Sequence, residues 1–248
     1  MYIDVHCHIE TYRDIKEVVE RARQAGVGII INNSIDFKSM KKSLALADWF
    51  SEVKIAFGVY PIETLKLDDN EINGVIDFIK KNRDKIIAIG EVGIDLKWSE
   101  NFEKQKDVFI RFVELSKELN LPLIIHSRKA EEQVIDILEN NKCNKVVMHC
   151  FTGGIKLVEK IVKNGWYLSI PTNVVFNGVI QDIVKKTPIQ NLLCETDSPY
   201  FQPERKKRNE PCFVVEGYRK IAELKNMELE GVEEQIEENF KILFKEYS

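Results

Sequence analysis

This chain lacks the segments that would place it in or across a membrane. No apolar run approaches the roughly 18 residues that a spanning helix needs, and no basic segment followed by an apolar one stands near the N-terminus. Its five cysteines include no Cys-x-x-Cys pair, and three of them lie in or beside predicted buried strands. We therefore expect a cytoplasmic protein with reduced thiols and without a disulfide framework.

The chain also lacks an excess of charge of either sign. Its 36 Lys and Arg residues face 40 Asp and Glu residues, which leaves a net charge of −4. A generally basic coat for nucleic acid is thereby excluded, so an anionic substrate would be met by a local basic patch or by metal ions. No glycine-rich phosphate loop follows the first predicted strand, which excludes the usual nucleotide-binding folds. No linker, low-complexity segment or repeat is visible, so residues 1–248 are expected to form a single domain.

Histidine is scarce, and its placement is the most informative feature of the chain. All four histidines, His6, His8, His126 and His149, stand at the predicted ends of short apolar strands. Successive side chains of a strand alternate between its two faces, so His6 and His8 point the same way, about 7 Å apart along the chain. One such histidine alone would indicate an ordinary core or surface residue. Together the four are typical of a metal site.

Two carboxylates share this placement. Glu91 follows the apolar run 86–89, and Asp197 follows the apolar run 192–194. A carboxylate at the end of a buried strand is costly to desolvate unless it is paired or binds a cation. The four histidines and these two acids therefore form one predicted set of metal ligands.

The rest of the chain alternates between strand-like and helix-like segments. Apolar runs that suit buried parallel strands lie at 3–8, 28–33, 54–59, 86–91, 123–126, 146–149, 166–170 and 192–195. Amphipathic, charge-rich segments lie at 13–24, 38–50, 71–82, 102–119, 130–140 and 155–163, with closing helices at 213–224 and 233–244. This pattern predicts an α/β fold of the (β/α)8 TIM-barrel type, because eight strands in 248 residues favour a closed barrel over an open sheet. All six predicted ligands then fall on one rim, at the C-terminal ends of the strands.

Six short motifs carry a resemblance to a known family. They are Asp4-Val-His-Cys-His8, Gly90-Glu-Val-Gly-Ile-Asp95, Ile125-His-Ser-Arg128, His149-Cys-Phe-Thr-Gly153, Glu195-Thr-Asp-Ser-Pro199 and Arg208-Asn-Glu-Pro211. Each motif is weak alone, but their common order along the chain is highly specific. With them the chain resembles the TatD-type metal-dependent deoxyribonucleases of the amidohydrolase-like barrel superfamily.

The resemblance implies a metal-dependent hydrolase that holds two divalent ions. The implied ligands of the first ion are His6, His8, Glu91 and Asp197. Those of the second are the bridging Glu91 together with His126 and His149. Imidazole and carboxylate ligands together suit Zn, Mn, Ni or Co, and suit Mg less well. Asp197 and Glu91 are the predicted catalytic residues, since Asp197 could also accept a proton from water and Glu91 would join the two ions.

The implied reaction is the hydrolysis of DNA phosphodiesters by two-metal activation of water. The predicted enzyme is an exonuclease that prefers single strands or strand ends, and no obligate protein partner is indicated. Two alternatives remain open on the same fold. One is a hydrolase of another ester, an amide or an aminoacyl-tRNA bond, and the other is a non-catalytic nucleic-acid- or partner-binding protein that metals stabilise. Fold and metals permit both, because function depends on the site and not on the barrel.

Two positions depart from the family's pattern. Tyr60 follows the third strand where the family commonly has a histidine, and a tyrosine can donate to a phosphate oxygen but does not titrate near neutral pH. The segment 205–208 carries a basic cluster, which indicates either a solvated loop or a clamp for phosphates. The predicted substrate-binding residues are Tyr60, Arg128, Arg205, Lys206, Lys207 and Arg208. Asp4, on the face of His6 and His8, is expected to orient an imidazole.

Overall fold

Eight strands form one parallel sheet in which the spatial order of the strands equals their order along the chain. The structure, a computed structural model, describes residues 1–203 and 208–244. The strands are β1 (Tyr2–Cys7), β2 (Val27–Asn33), β3 (Val53–Phe57), β4 (Ala88–Gly93), β5 (Leu123–His126), β6 (Val146–His149), β7 (Tyr167–Pro171) and β8 (Leu192–Glu195). This is the predicted TIM-barrel class, which is confirmed. The single-domain organisation of residues 1–248 stays a prediction.

Helices follow the strands and cover the outside of the sheet, as βα units require. They are α1 (Ile15–Gln24), α2 (Phe37–Trp49), α3 (Pro61–Thr64), α4 (Asp69–Lys81), α5 (Phe102–Leu119), α6 (Glu131–Asn140), α7 (Ile155–Lys163), α8 (Gly178–Lys186), α9 (Val214–Lys225) and α10 (Leu229–Leu243). Among these helices, none combines the length and the apolar character that a membrane crossing demands.

The barrel closes through the segment that follows β8. The amide of Asp197 donates to the carbonyl of His6 at 2.8 Å, and the amide of His8 donates to the carbonyl of Ser198 at 2.8 Å. On the outside, α9 is fixed to β1 because the Tyr218 hydroxyl accepts from the amide of Ile3 at 3.0 Å and donates to its carbonyl at 3.2 Å. The C-terminal ends of β1 and β8 are therefore neighbours.

The strands are rich in valine and isoleucine because both of their faces are covered, which removes the polar alternation of a half-exposed sheet. Glycine is needed where the loops above β3 and β4 approach other backbone. Gly93 has a φ of 146°, and a Cβ there would overlap the carbonyl of His126. A Cβ at Gly58 would stand 2.6 Å from the carbonyl oxygen of Glu91. These close approaches bring the ends of β3, β4 and β5 together.

Several element ends differ from the sequence prediction. β1 ends at Cys7, so His8 is the first residue beyond the strand, and β4 continues two residues past Glu91 to Gly93. The helix α8 is not among the predicted helices. The side chain of Asn177, just before the helix, accepts from the amide of Val179 at 3.1 Å.

Candidate metal centre

Four ligand atoms meet at the C-terminal rim of the barrel. They belong to residues near the ends of β1 and β4 and in the segment after β8. Nε2 of His6 and Nε2 of His8 are 3.3 Å apart. Oδ1 of Asp197 is 3.6 and 3.3 Å from these two nitrogens, and Oε2 of Glu91 is 3.5 and 3.7 Å from them. Ligands about 2.1 Å from a tetrahedral ion stand about 3.4 Å apart, whereas hydrogen bonds are shorter. His6, His8 and Asp197 form a group whose ligand atoms could hold one ion, and Oε2 of Glu91 lies beside both of its nitrogens.

The second oxygen of Glu91 faces a second ligand set. Its Oε1 is 2.7 Å from Nδ1 of His126 and 3.4 Å from Nε2 of His149. These three residues form a group whose ligand atoms could hold an ion together. Each oxygen of one carboxylate thus faces its own pair of imidazoles, which is the arrangement that a bridging ligand needs. The structure therefore brings together all six predicted metal ligands.

The position of Asp197 depends on an unusual backbone conformation. Its φ is 50°, in the left-handed region that is costly for a residue with a side chain. The conformation is held on both sides, because its amide donates to the carbonyl of His6 and its own carbonyl accepts from the amide of Tyr200 at 2.8 Å. The carboxylate is thereby directed toward His6 and His8 although it lies beyond β8.

Three of the four imidazoles are oriented by groups behind them. Nδ1 of His8 lies 2.8 Å from the carbonyl oxygen of Asn33, and Nε2 of His126 lies 3.0 Å from Oδ2 of Asp95. Nδ1 of His149 lies 3.4 Å from Oε2 of Glu195, and the same oxygen accepts from the hydroxyl of Ser169. Such partners fix the ring orientation and the protonated nitrogen of a metal-binding histidine.

The sequence prediction did not assign these groups the role of orienting the imidazoles. Asp95 and Glu195 lie inside two of the six family motifs, so the motifs contained a signal for them. Asn33 contributes a backbone carbonyl, which no residue type reveals. For Nδ1 of His6, no hydrogen-bond partner is found among the residues that the structure describes.

The predicted role of Asp4 is not what its contacts show. Its Oδ1 accepts from the amide of Thr196 at 2.9 Å and from the amide of His6 at 3.2 Å, and its Oδ2 accepts from the Thr196 hydroxyl at 2.6 Å. Burial raises the pKa of Asp4 to about 8, although these bonds oppose the rise. Asp4 therefore joins β1 to the segment after β8. It acts on the backbone of His6 and not on its ring.

The bridging carboxylate, Glu91, and the terminal carboxylate, Asp197, are held ionised by the imidazoles around them. Burial by itself would raise the pKa of Glu91, but hydrogen bonds with His126, His149 and His6 outweigh it and hold that pKa well below its usual range. Burial also opposes ionisation of Asp197, whose pKa is lowered by the bond with His8 and by the nearby imidazoles. The two carboxylates are thus in the ionised form that binds cations, whereas the imidazoles beside them must be neutral to act as ligands.

Tyr60 is bound to Asp95, the residue that orients the ring of His126. Its hydroxyl donates to Oδ2 of Asp95 at 2.6 Å, and its ring meets the His126 ring edge to face, with centroids 5.0 Å apart. Burial and the Asp95 carboxylate raise the pKa of Tyr60 well above 10. Oδ1 of Asp95 accepts from the amides of Lys97 and Trp98 at 2.8 and 3.2 Å. In this arrangement the proton of Tyr60 is directed to Asp95 and not to the open cavity.

A cavity of about 620 Å³ is lined by five of the six predicted ligands, all except His6, and by two of the predicted substrate-binding residues. Tyr60 and Arg128 line it, and Arg128 also lines an adjoining cleft of about 630 Å³. The Arg208 guanidinium stacks on the ring of Tyr12, 3.9 Å from its centroid, and lies 3.4 Å from the carbonyl oxygen of Thr11, another lining residue. The predicted residues Arg205, Lys206 and Lys207 lie outside the described residues.

A family model covers nearly the whole chain. Residues 3–245 match the model of the TatD related DNase family. The chain belongs to this family. As a TatD-family protein it is a metal-dependent hydrolase on a TIM barrel.

Relatives of the TatD-family chain match it over nearly its whole length. A protein of Methanocaldococcus jannaschii described as a metal-dependent hydrolase is 35% identical over 98% of this chain and 97% of its own. A human protein named deoxyribonuclease TATDN3 is 31% identical over 98% of this chain and 94% of its own. The crystal structure of YjjV, a TatD homolog of Escherichia coli, superposes with a TM-score of 0.92 at 26% identity and covers 98% of both chains.

Proposed function

We propose that this TatD-family hydrolase is a deoxyribonuclease that cleaves DNA phosphodiesters as an exonuclease, with a preference for single strands or strand ends. The human relative named a deoxyribonuclease supports DNA as the substrate. The observation that carries the proposal is Glu91, whose two oxygens face two separate pairs of imidazoles. Two adjacent cation sites occur in nucleases and phosphatases, and also in aminopeptidases, so the choice of DNA rests on the relative.

The residues present fit two divalent ions. His6, His8, Glu91 and Asp197 would hold the first. Glu91, His126 and His149 would hold the second. The mixture of imidazole and carboxylate favours Zn, Mn, Ni or Co over Mg. When bound, the two ions supply activation of water and compensation of the charge that develops on the phosphate oxygens.

The chain's own residues have distinct parts in the proposed reaction. An Oδ atom of Asp197 accepts a proton from the attacking water, a role that its place in the cavity suits. Asp95 and Glu195 orient His126 and His149. Arg128 lies at the boundary between the cavity and the adjoining cleft, where its guanidinium can contact a phosphate.

For Tyr60 we propose a role other than a direct contact with the phosphate. Because its hydroxyl donates to Asp95, we propose that Tyr60 holds Asp95 in place behind His126 and lines the cavity with its ring. Donation to a phosphate would require this 2.6 Å bond to break.

Reconstituted protein tests the proposal most directly. Metal-free protein is loaded in turn with Zn, Mn, Ni, Co or Mg and incubated with end-labelled single- and double-stranded DNA, beside a panel of small esters and amides. We expect stepwise shortening of the single strand from one end, and loss of this activity in Glu91→Gln. Hydrolysis of the small compounds with intact DNA would overturn the assignment and favour a small-molecule hydrolase.

A further inference from the structure

Two large aromatic side chains stand exposed in the cavity that contains the metal ligands. Trp98 and Tyr200 both line it, yet they are 64% and 58% exposed to solvent. Exposed apolar surface that borders a functional cavity commonly serves ligand contact. Trp166, by contrast, is 1% exposed and packed in the core, where a large aromatic side chain is usually found.

The two rings follow strands on opposite sides of the barrel. Trp98 follows β4 and Tyr200 follows β8. In a ring of eight strands, the fourth and the eighth face each other across the barrel axis. A substrate whose reacting bond lies at Glu91, near the centre of the rim, therefore has one ring on each side.

Both rings are attached to backbone that the metal centre itself fixes. The amide of Trp98 donates to Oδ1 of Asp95 at 3.2 Å, and the amide of Tyr200 donates to the carbonyl of Asp197 at 2.8 Å. The Tyr200 ring also meets the ring of His8 edge to face, with centroids 6.2 Å apart. Each ring is thus held at a set distance from the ligands while most of its surface stays open.

Cationic groups accompany the rings. Nζ of Lys97 lies 5.3 Å from the ring centroid of Trp98, and Arg128 lines the same cavity. Aromatic rings beside cations in an open groove are the combination that binds single-stranded nucleic acid, because every base offers a flat face and every link a phosphate. A small apolar ester would need neither a ring on each side nor the cations.

We propose that Trp98 and Tyr200 are stacking platforms for unpaired nucleobases on the two sides of the cleaved phosphodiester. The inference rests on the proposed deoxyribonuclease function and gives its strand preference a physical cause. The faces of duplex bases are covered by neighbouring bases, so the rings can hold only bases that are already unstacked. Selection for single strands then depends on these two side chains, and not on the metals.

Kinetics on matched oligonucleotides test the proposal. The variants are Trp98→Leu and Tyr200→Leu, each paired with its phenylalanine variant, which keeps a ring. Trp49→Leu is the control, because Trp49 is 73% exposed at the end of α2, on the opposite end of the barrel. Each protein is assayed, at equal metal content, on a thymidine oligonucleotide and on an abasic oligonucleotide of the same length.

The leucine variants should raise KM on the thymidine oligonucleotide about tenfold or more, as the loss of one stacked base predicts. KM on the abasic oligonucleotide should hardly change, and the phenylalanine variants should recover most of the affinity. An equal rise on both oligonucleotides would mean that the rings support the fold of the cavity, and unchanged KM on both would mean that the rings contact no base. Either result overturns the proposal.

Fluorescence gives a measurement that does not depend on cleavage. In Trp49→Phe, Trp98 is the exposed tryptophan and Trp166 is buried. Stacking on a base should quench its emission when thymidine oligonucleotide is added, and an abasic oligonucleotide should not. Quenching without any DNA cleavage would refute the nuclease function and support the stacking. DNA cleavage with neither quenching nor a dependence on bases would refute the stacking alone.

Discussion

At the scale of single residues, both ligand sets depend on Glu91. Its Oε2 faces His6 and His8, and its Oε1 faces His126 and His149. The residue is 3% exposed, so its charge is poorly solvated and is balanced by groups inside the site. A change at this one position should therefore affect both cations, whereas a change at a histidine should affect mainly its own.

We expect Glu91→Gln to lose most of the metal from both sets, because the amide keeps the size of the side chain but removes the charge that two cations would share. His149→Ala should lose mainly the second ion. Elemental analysis after reconstitution measures both effects, starting from about two ions per chain in the unaltered protein.

The matched control is Glu118→Gln. Glu118 lies on the outer helix α5, and its exposed carboxylate pairs with Lys80. It should keep the metal content of the unaltered protein. A metal content near zero in the unaltered protein after reconstitution would contradict the metal-site assignment as a whole.

Asp95 gives a second prediction at this scale. Because its Oδ2 accepts from His126 and Tyr60, Asp95→Asn should lower the affinity for the second ion roughly 10- to 100-fold, the usual effect of losing the partner of a metal-binding histidine. Tyr60→Phe should act in the same direction but less, since Asp95 keeps its bond to His126. Titration of metal-free protein with Zn or Mn measures both affinities. Equal affinities in Asp95→Asn and the unaltered protein would show that His126 needs no partner.

At the scale of elements, the strands could be predicted because each is a short apolar run that ends in a polar residue. The ends of the strands were harder to predict, as at β1 and β4. A buried histidine or glutamate indicates the end of an apolar run, even where the pairing of the strand with its neighbour stops earlier or continues further. The helix α8 could not be predicted from its composition. It starts with Gly178 and contains Val179, Ile180, Ile183 and Val184, which are poor helix formers. Packing of Ile180 and Ile183 against the barrel compensates for this low propensity.

The end of β4 supplies the prediction at this scale. Gly93→Ala should destabilise the protein by about 1–3 kcal/mol or more, because φ is 146° and the new Cβ would overlap the carbonyl of His126. Gly74→Ala is the matched control, since Gly74 lies in α4 and a Cβ there meets nothing within 4 Å. It should stabilise by about 0.5–1 kcal/mol. Denaturant unfolding of both variants gives the difference, and equal stability would contradict the assigned backbone of Gly93.

At the scale of the whole molecule, the barrel explains why so much of the site could be predicted. Parallel strands in a closed ring place all of their C-terminal ends on one rim, so strand residues as far apart in the chain as His6 and His149 could be predicted to lie together without any knowledge of the loops. The groups that orient the histidines could not be predicted in this way, because periodicity reveals neither the paths of loops nor contacts of the backbone. Asp95 reaches His126 only after β4 has ended, and Asn33 contributes its backbone.

The net charge of −4 also has a consequence for the whole molecule. An acidic protein that binds DNA must concentrate its phosphate contacts in a few places, so affinity should fall as salt rises, with a slope set by the number of contacts. Replacing Lys206 and Lys207 with Ala should make that slope shallower and raise KM for DNA, if these residues of the basic cluster contact the backbone. Replacing the exposed Lys16 and Lys163 instead controls for net charge. A small phosphodiester should be cleaved at an unchanged rate, because it reaches only the metal centre. DNA binding with the same salt slope in both double variants would remove the cluster from the interface.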